Sequence, residues 1–139
     1  MNSKILDTFI SGVELFNKGE TLAGHAKWES LWKDGNLEIR KWIKGWLQFS
    51  GSILNVFAKK REGAIYLAGK SINNLSDEEI SSSIVDVDLA ITDMSNLREI
   101  LKNDSYTLED TNVIARVIKI KLISFKYKRG VDFLMTSEH

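Results

Sequence analysis

Ile5, Phe9, Val13 and Phe16 are spaced by four, four and three residues, which places them on one face of a helix. Asn17-Lys18-Gly19 closes that helix, and Gly19 suits the left-handed position past a helix C-terminus. A second helix is predicted over about Glu20 to Lys33, ended by the turn signal Asp34-Gly35-Asn36. The third, about Leu37 to Lys59, is the longest and most apolar. It carries one stripe of Trp42, Trp46, Phe49, Ile53 and Val56 and another of Ile43, Leu47, Leu54 and Phe57. Lys44 is the only charge between Trp42 and Ala58, so this helix is expected to be central and buried. Ile65, Ala68 and Ile72 mark a fourth helix over about Glu62 to Asn73, and Leu75 to Ser83 reads as a polar loop. A fifth helix follows Asp86 or Asp88, either of which can cap it, and shows Val87, Ala90, Ile91, Met94, Leu97 and Leu101 on one face.

The remaining chain carries two patterns. Ser105 or Thr107, followed by Glu109 and Asp110, has the form of a helix start. Ile118, Ile120 and Leu122 then alternate with Lys119 and Lys121, and after a slip at Ile123 so do Phe125 and Tyr127 with Lys126 and Lys128. That is the period of a half-buried strand. Residues 107–128 are therefore open to a helix or a β-strand. A strand would have to pair with Ser83–Val87, with the residues beyond the Lys128-Arg129-Gly130 turn, or with a second copy of the chain. The expected fold is an all-α, single-domain bundle of about five helices over residues 1–102. Residues 103–139 form an extension packed on it or on a second subunit.

Composition narrows the function classes. The 139 residues include no cysteine and no proline, with 19 basic and 19 acidic side chains. A chain of this length is expected to fold around one core. Without cysteine there is no disulfide frame, thiolate metal site or cysteine nucleophile. No apolar run approaches the ~18 residues of a membrane span, and Met1-Asn2-Ser3-Lys4 leads into an amphipathic segment, unlike a signal peptide. The expected location is the cytoplasm. Charge is uneven: residues 76–110 hold ten acids against Arg98 and Lys102, while residues 113–131 hold six bases and no acid. Either the two segments neutralise each other or the second forms a basic patch.

Candidate chemistry centres on the second helix, where Thr21, Gly24, His25, Trp28, Leu31 and Trp32 share a face. Glu29 lies four residues after His25, within reach of its ring, and a carboxylate can orient an imidazole or share a metal with it. On the third helix Gly45, Gln48, Ser52 and Asn55 form a small, polar stripe on an apolar background. Buried amides need partners, and the economical arrangement turns this stripe toward His25 and Glu29. Such a cluster more often fixes helix register than performs chemistry. The four tryptophans between positions 28 and 46 read mainly as core. Lys119, Lys121, Lys126, Lys128 and Arg129 with Phe125 and Tyr127 are the one nucleic-acid candidate, but a pI of about 6.7 speaks against it. His139, at the chain's end, is set aside.

Phe16-Asn17-Lys18-Gly19-Glu20, then His25, Trp28-Glu29 and Trp32, resemble the signature of the domain of unknown function family 309, F-N-x-G-E followed by H-E-x-x-E-x-x-W. Arg40-Lys41-Trp42-Ile43-Lys44-Gly45-Trp46-Leu47-Gln48, Ser50-Gly51-Ser52 and Gly63-Ala64 continue the resemblance, which covers about residues 9–75 and extends loosely to 102. It implies a small all-helical fold and no settled activity. Ala26 stands where the family pattern has a Glu after the His, Asn55 where it has a second His, Thr21 where it has an aromatic and Lys44 where it has Gln. Of the polar set that the family would bring together, His25 and Glu29 remain, with Gln48 nearby.

These observations favour a non-enzymatic helical module that binds a protein partner or itself, with a homodimer as one form. The alternative is a metal-assisted hydrolase or other small-molecule enzyme using His25 and Glu29, whose further ligands could come only from Gln48, Asn55 or Asn17. Ser52, Trp28 and Trp32 complete the candidate cluster. Weak nucleic-acid binding through the basic segment ranks below both. No cofactor is expected.

Overall fold

The computed structural model describes residues 2–123. Six α-helices run through them: α1 Ser3–Asn17, α2 Thr21–Asp34, α3 Leu37–Phe57, α4 Arg61–Asp77, α5 Val87–Lys102 and α6 Leu108–Arg116, with a 3-10 turn at Ser81–Ser83. The all-α expectation holds, and the sixth helix comes from the extension.

Local chemistry explains the boundaries. Side chains of Asn2, Asn36 and Asp86 each accept a hydrogen bond from the backbone N–H three residues on, capping α1, α3 and α5. Thr107 and Asp110 form a reciprocal capping box that starts α6. α1 ends with Gly19 at φ +88°, Gly19 N–H donating to Phe16 O and Glu20 N–H to Leu15 O. α3 ends on the same geometry with Lys59 in the left-handed position at φ +61°. A lysine there carries the Cβ penalty that glycine avoids.

α3 lies at the centre. α1 packs on α2, α2 on α3, α3 on α4 and α4 on α5, while α6 touches both α3 and α5. Phe9, Trp28, Trp42, Trp46 and Phe49 are all fully buried, with ring centroids from 4.8 to 5.9 Å apart for the pairs in contact. The two apolar stripes of α3 leave it little free surface.

Three expectations are sharpened or corrected. α4 continues to Asp77, past Asn73, because Leu75 is buried against Gly45, where a Cβ would come within 2.9 Å of it. The loop therefore begins at Glu78. Second, the extension uses both of its patterns. After α6 the chain is extended, with Ile118 and Ile120 buried and Lys119 and Lys121 exposed. Val85 and Leu122 form an isolated antiparallel bridge, with Asp86 N–H donating to Lys121 O (2.8 Å) and Ile123 N–H to Ile84 O (3.2 Å). One bridge does not make a strand, and none occurs among the described residues. Ser83–Val87 does supply the partner. Phe125, Tyr127 and the Lys128-Arg129-Gly130 turn lie outside the described residues.

Third, among the described residues no ion pair joins the acidic segment to the basic one, although the two lie side by side at the Asp86–Lys121 backbone contact. Among the described residues the only ion pairs are Glu99 with Arg98 and Lys102, both at 3.9 Å. Arg116 instead covers the Phe57 ring at 5.0 Å, and Lys119 donates to Arg116 O. Lys126, Lys128 and Arg129 lie outside the described residues.

Candidate functional site

On α2, Thr21, Gly24, Trp28 and Leu31 are buried, while His25 and Trp32 are half-buried. The face read from the spacing is thus real, and His25 sits at its edge. Its Nδ1 lies 2.6 Å from Ser50 Oγ. Ser50 is fully buried and its Oγ is 3.0 Å from Trp46 O and 3.2 Å from Leu47 O, within donating distance of both. A hydroxyl has one proton. The His25 Nδ1 donates to Ser50 Oγ when the hydroxyl turns its proton to a backbone carbonyl and accepts from it when the hydroxyl turns its proton to the ring. Burial pushes the His25 pKa below its ordinary value, and the Glu29 charge pulls the other way and loses.

Glu29 is exposed and makes no hydrogen bond or ion pair with His25, correcting the expected contact. Its reach allowed contact, but the carboxylate keeps its hydration by pointing to water. The polar stripe of α3 is also redirected: it faces α4 and not α2. Asn74 Nδ2 donates to Gln48 Oε1 (2.6 Å), Ser52 Oγ to Ala64 O (2.7 Å), and Ser71 Oγ to Gly45 O (3.0 Å). Asn55 Nδ2 donates within α3 to Gly51 O (2.9 Å), beside Gly63 of α4. Gln48 is satisfied by α4 and the Asn55 Nδ2 by its own helix, and small residues on both sides permit the close approach of α3 and α4.

Asn17 belongs to neither group. Its Nδ2 donates to Ile120 O and its Oδ1 accepts from Ile120 N–H, both at 2.8 Å. The eight candidate residues therefore fall into separate places: His25 on Ser50, Gln48, Ser52 and Asn55 toward α4, Asn17 on the extension, Glu29 in solvent. Trp28 is core, its Nε1 donating to Phe9 O at 3.1 Å. Trp32 lies under the Arg40 guanidinium at 5.3 Å. Among the described residues no group of three His, Asp or Glu side chains is placed to hold a metal ion.

Chemically, this arrangement is an imidazole held neutral beside a hydroxyl that solvent does not reach. Sequence reasoning missed Ser50 as the partner of His25. The missed signal was register: Ser50 lies four residues after Trp46, whose carbonyl a serine at that spacing can bond.

Residues 9–67 match the model of the family Domain of unknown function (DUF309). The DUF309 match takes in most of α1, all of α2 and α3, and the start of α4. It therefore contains His25, Ser50 and the polar stripe, and leaves α5, α6 and the Asn17-held segment outside, though Asn17 itself is within it. The expected resemblance to DUF309 is thus found over this stretch. Comparison with curated proteins and with solved structures yields no match.

Proposed function

We propose that the protein is a non-enzymatic helical module whose partner is a second copy of itself. One observation carries this reading. Leu22, 68% exposed, stands with Ala23, Ala26, Leu54 and Phe57 around an open groove of about 570 Å³ between the start of α2 and α6. Val113 on α6 and Val117 just past its end are also exposed, at 64% and 69%. Apolar side chains gathered on one face mark association surfaces. Two opposite charges, Glu20 and Arg116, both line the groove. A two-fold axis would set Glu20 of one copy against Arg116 of the next, as an isologous contact requires.

A catalytic reading draws less support. Glu29 does not touch His25, Ser50 is sealed from solvent, and the remaining polar candidates are used in packing.

Sedimentation velocity over a range of protein concentrations tests the proposal. The parent is expected to form a dimer as concentration rises, and Leu22→Asp to stay monomeric with unchanged helicity. A parent that remains monomeric throughout, or a Leu22→Asp variant that dimerises as well as the parent, refutes it.

A further inference from the structure

A second groove, between α4 and α5, gathers cations that the protein itself leaves unpaired. Tyr66, Gly69, Lys70 and Asn73 recur at spacings of three and four, so they share one face of α4. With Glu62 and Ile65 of α4 and Arg98 of α5 they line an open groove of about 410 Å³. Arg98 rests against α4 because Gly69 has no side chain: a Cβ there would lie 3.3 Å from Arg98 Nε. Arg40, Arg61 and Arg116 each use the guanidinium in hydrogen bonds within the protein. Arg98, the fourth arginine of the described residues, makes no hydrogen bond among them. Its nearest acid, Glu99, lies 3.9 Å from Nη1, too far for a hydrogen bond, and is 71% exposed. Nε is buried, but Nη1 and Nη2 keep accessible surface, so the outer fork of the guanidinium is open to a ligand. Lys70 forms no ion pair among the described residues, and its ammonium stands 5.6 Å from the centroid of the exposed Tyr66 ring.

We propose that this groove binds a small phosphate monoester, its phosphate between Arg98 and Lys70 and its organic part along Tyr66 and Ile65. The donors choose the anion. Arg98 Nη1 and Nη2, Lys70 Nζ and Asn73 Nδ2 all belong to residues that line the groove. That is more than the two oxygens of a carboxylate can use, whereas a phosphate monoester offers three acceptor oxygens and nearly two negative charges. The planar fork of an arginine suits two of those oxygens at once. The one acid that lines the groove, Glu62, stands seven residues before Gly69, about 10 Å away along the helix axis. The groove therefore has a cationic end, at Gly69, Lys70 and Arg98, with the Tyr66 ring between it and Glu62. Tyr66 gives a flat surface, and the volume falls in the range of small-molecule sites. The groove shares no residue with the one at Leu22, and the proposal does not rest on self-association.

The test uses the full chain labelled with nitrogen-15, whose backbone amide signals are read by NMR. Titration with phenyl phosphate is expected to shift the signals of Tyr66, Gly69, Lys70 and Arg98 saturably and to leave those of α2 in place. Phenol, which lacks the anion, should not shift them, and sodium benzoate, which has the same ring on a carboxylate, should bind at least several-fold more weakly. Arg98→Gln should weaken phenyl phosphate about tenfold or more. Lys70→Gln, at an exposed position where the fold is not at risk, should weaken it several-fold. In both variants the unshifted α2 signals report that the fold persists. Absence of a saturable shift with phenyl phosphate overturns the proposal. So does equal binding of phenol or benzoate, or an unchanged affinity in either variant.

Discussion

Asn17→Ala removes a side chain that does the work of a backbone. The Asn17 amide presents its donor and acceptor to Ile120 as a neighbouring strand would, with both bonds at 2.8 Å. Ile120 is 1% exposed, so its freed N–H and C=O would meet little water. A buried group left unpaired costs about 1–3 kcal/mol. Two such groups, with some relief by entering water, give an expected loss of about 2–4 kcal/mol. The segment could instead peel away, at the cost of exposing Ile118 and Ile120, each worth about 1.5–3 kcal/mol when buried. The two costs are comparable, so loss of stability and local opening should appear together. Denaturant melts measure the first, and amide hydrogen exchange over residues 117–123 the second. Asn17→Asp sharpens the reasoning: it retains an acceptor for Ile120 N–H but sets a charged oxygen against Ile120 O. It should be as destabilising as Asn17→Ala at neutral pH and improve on acidification as the carboxyl gains a donor proton. An Asn17→Ala protein with the parent's midpoint and unchanged protection at Ile120 would refute the clamp.

Two further outcomes follow from the backbone and from His25. Lys59→Gly should raise stability by about 1 kcal/mol, because glycine adopts φ +61° without the Cβ clash; an unchanged or lower melting midpoint would count against the strain. His25 has a folded pKa below its unfolded one, so the unfolded chain binds more protons near pH 6. Its contribution is therefore complete above the ordinary histidine value of about 6.5 and is lost as pH falls through the lowered folded value. His25→Gln should flatten the parent's decline in stability across that window, and identical pH profiles for the two proteins would show that His25 is not its source.

What the order of residues determined without help was local. Apolar spacing located α1, α2, α3 and α5 to within a few residues, since a helix that must bury one face repeats its apolar positions every 3.6 residues wherever it packs. Gly19, Asp86 and the Thr107–Asp110 pair marked helix ends because capping depends on neighbours only a few residues apart. The all-α class followed from those elements. The tertiary structure decided which helix each polar residue would face. A stripe of Gly45, Gln48, Ser52 and Asn55 must be satisfied, but nothing in its spacing chooses between α2 and α4. The choice came from Leu75, Ser71 and Asn74 fitting against the small residues of α3. The same holds for the 103-residue separation between Asn17 and Ile120. Hydrogen-bond partners distant in the chain are set by packing, which depends on every side chain between them.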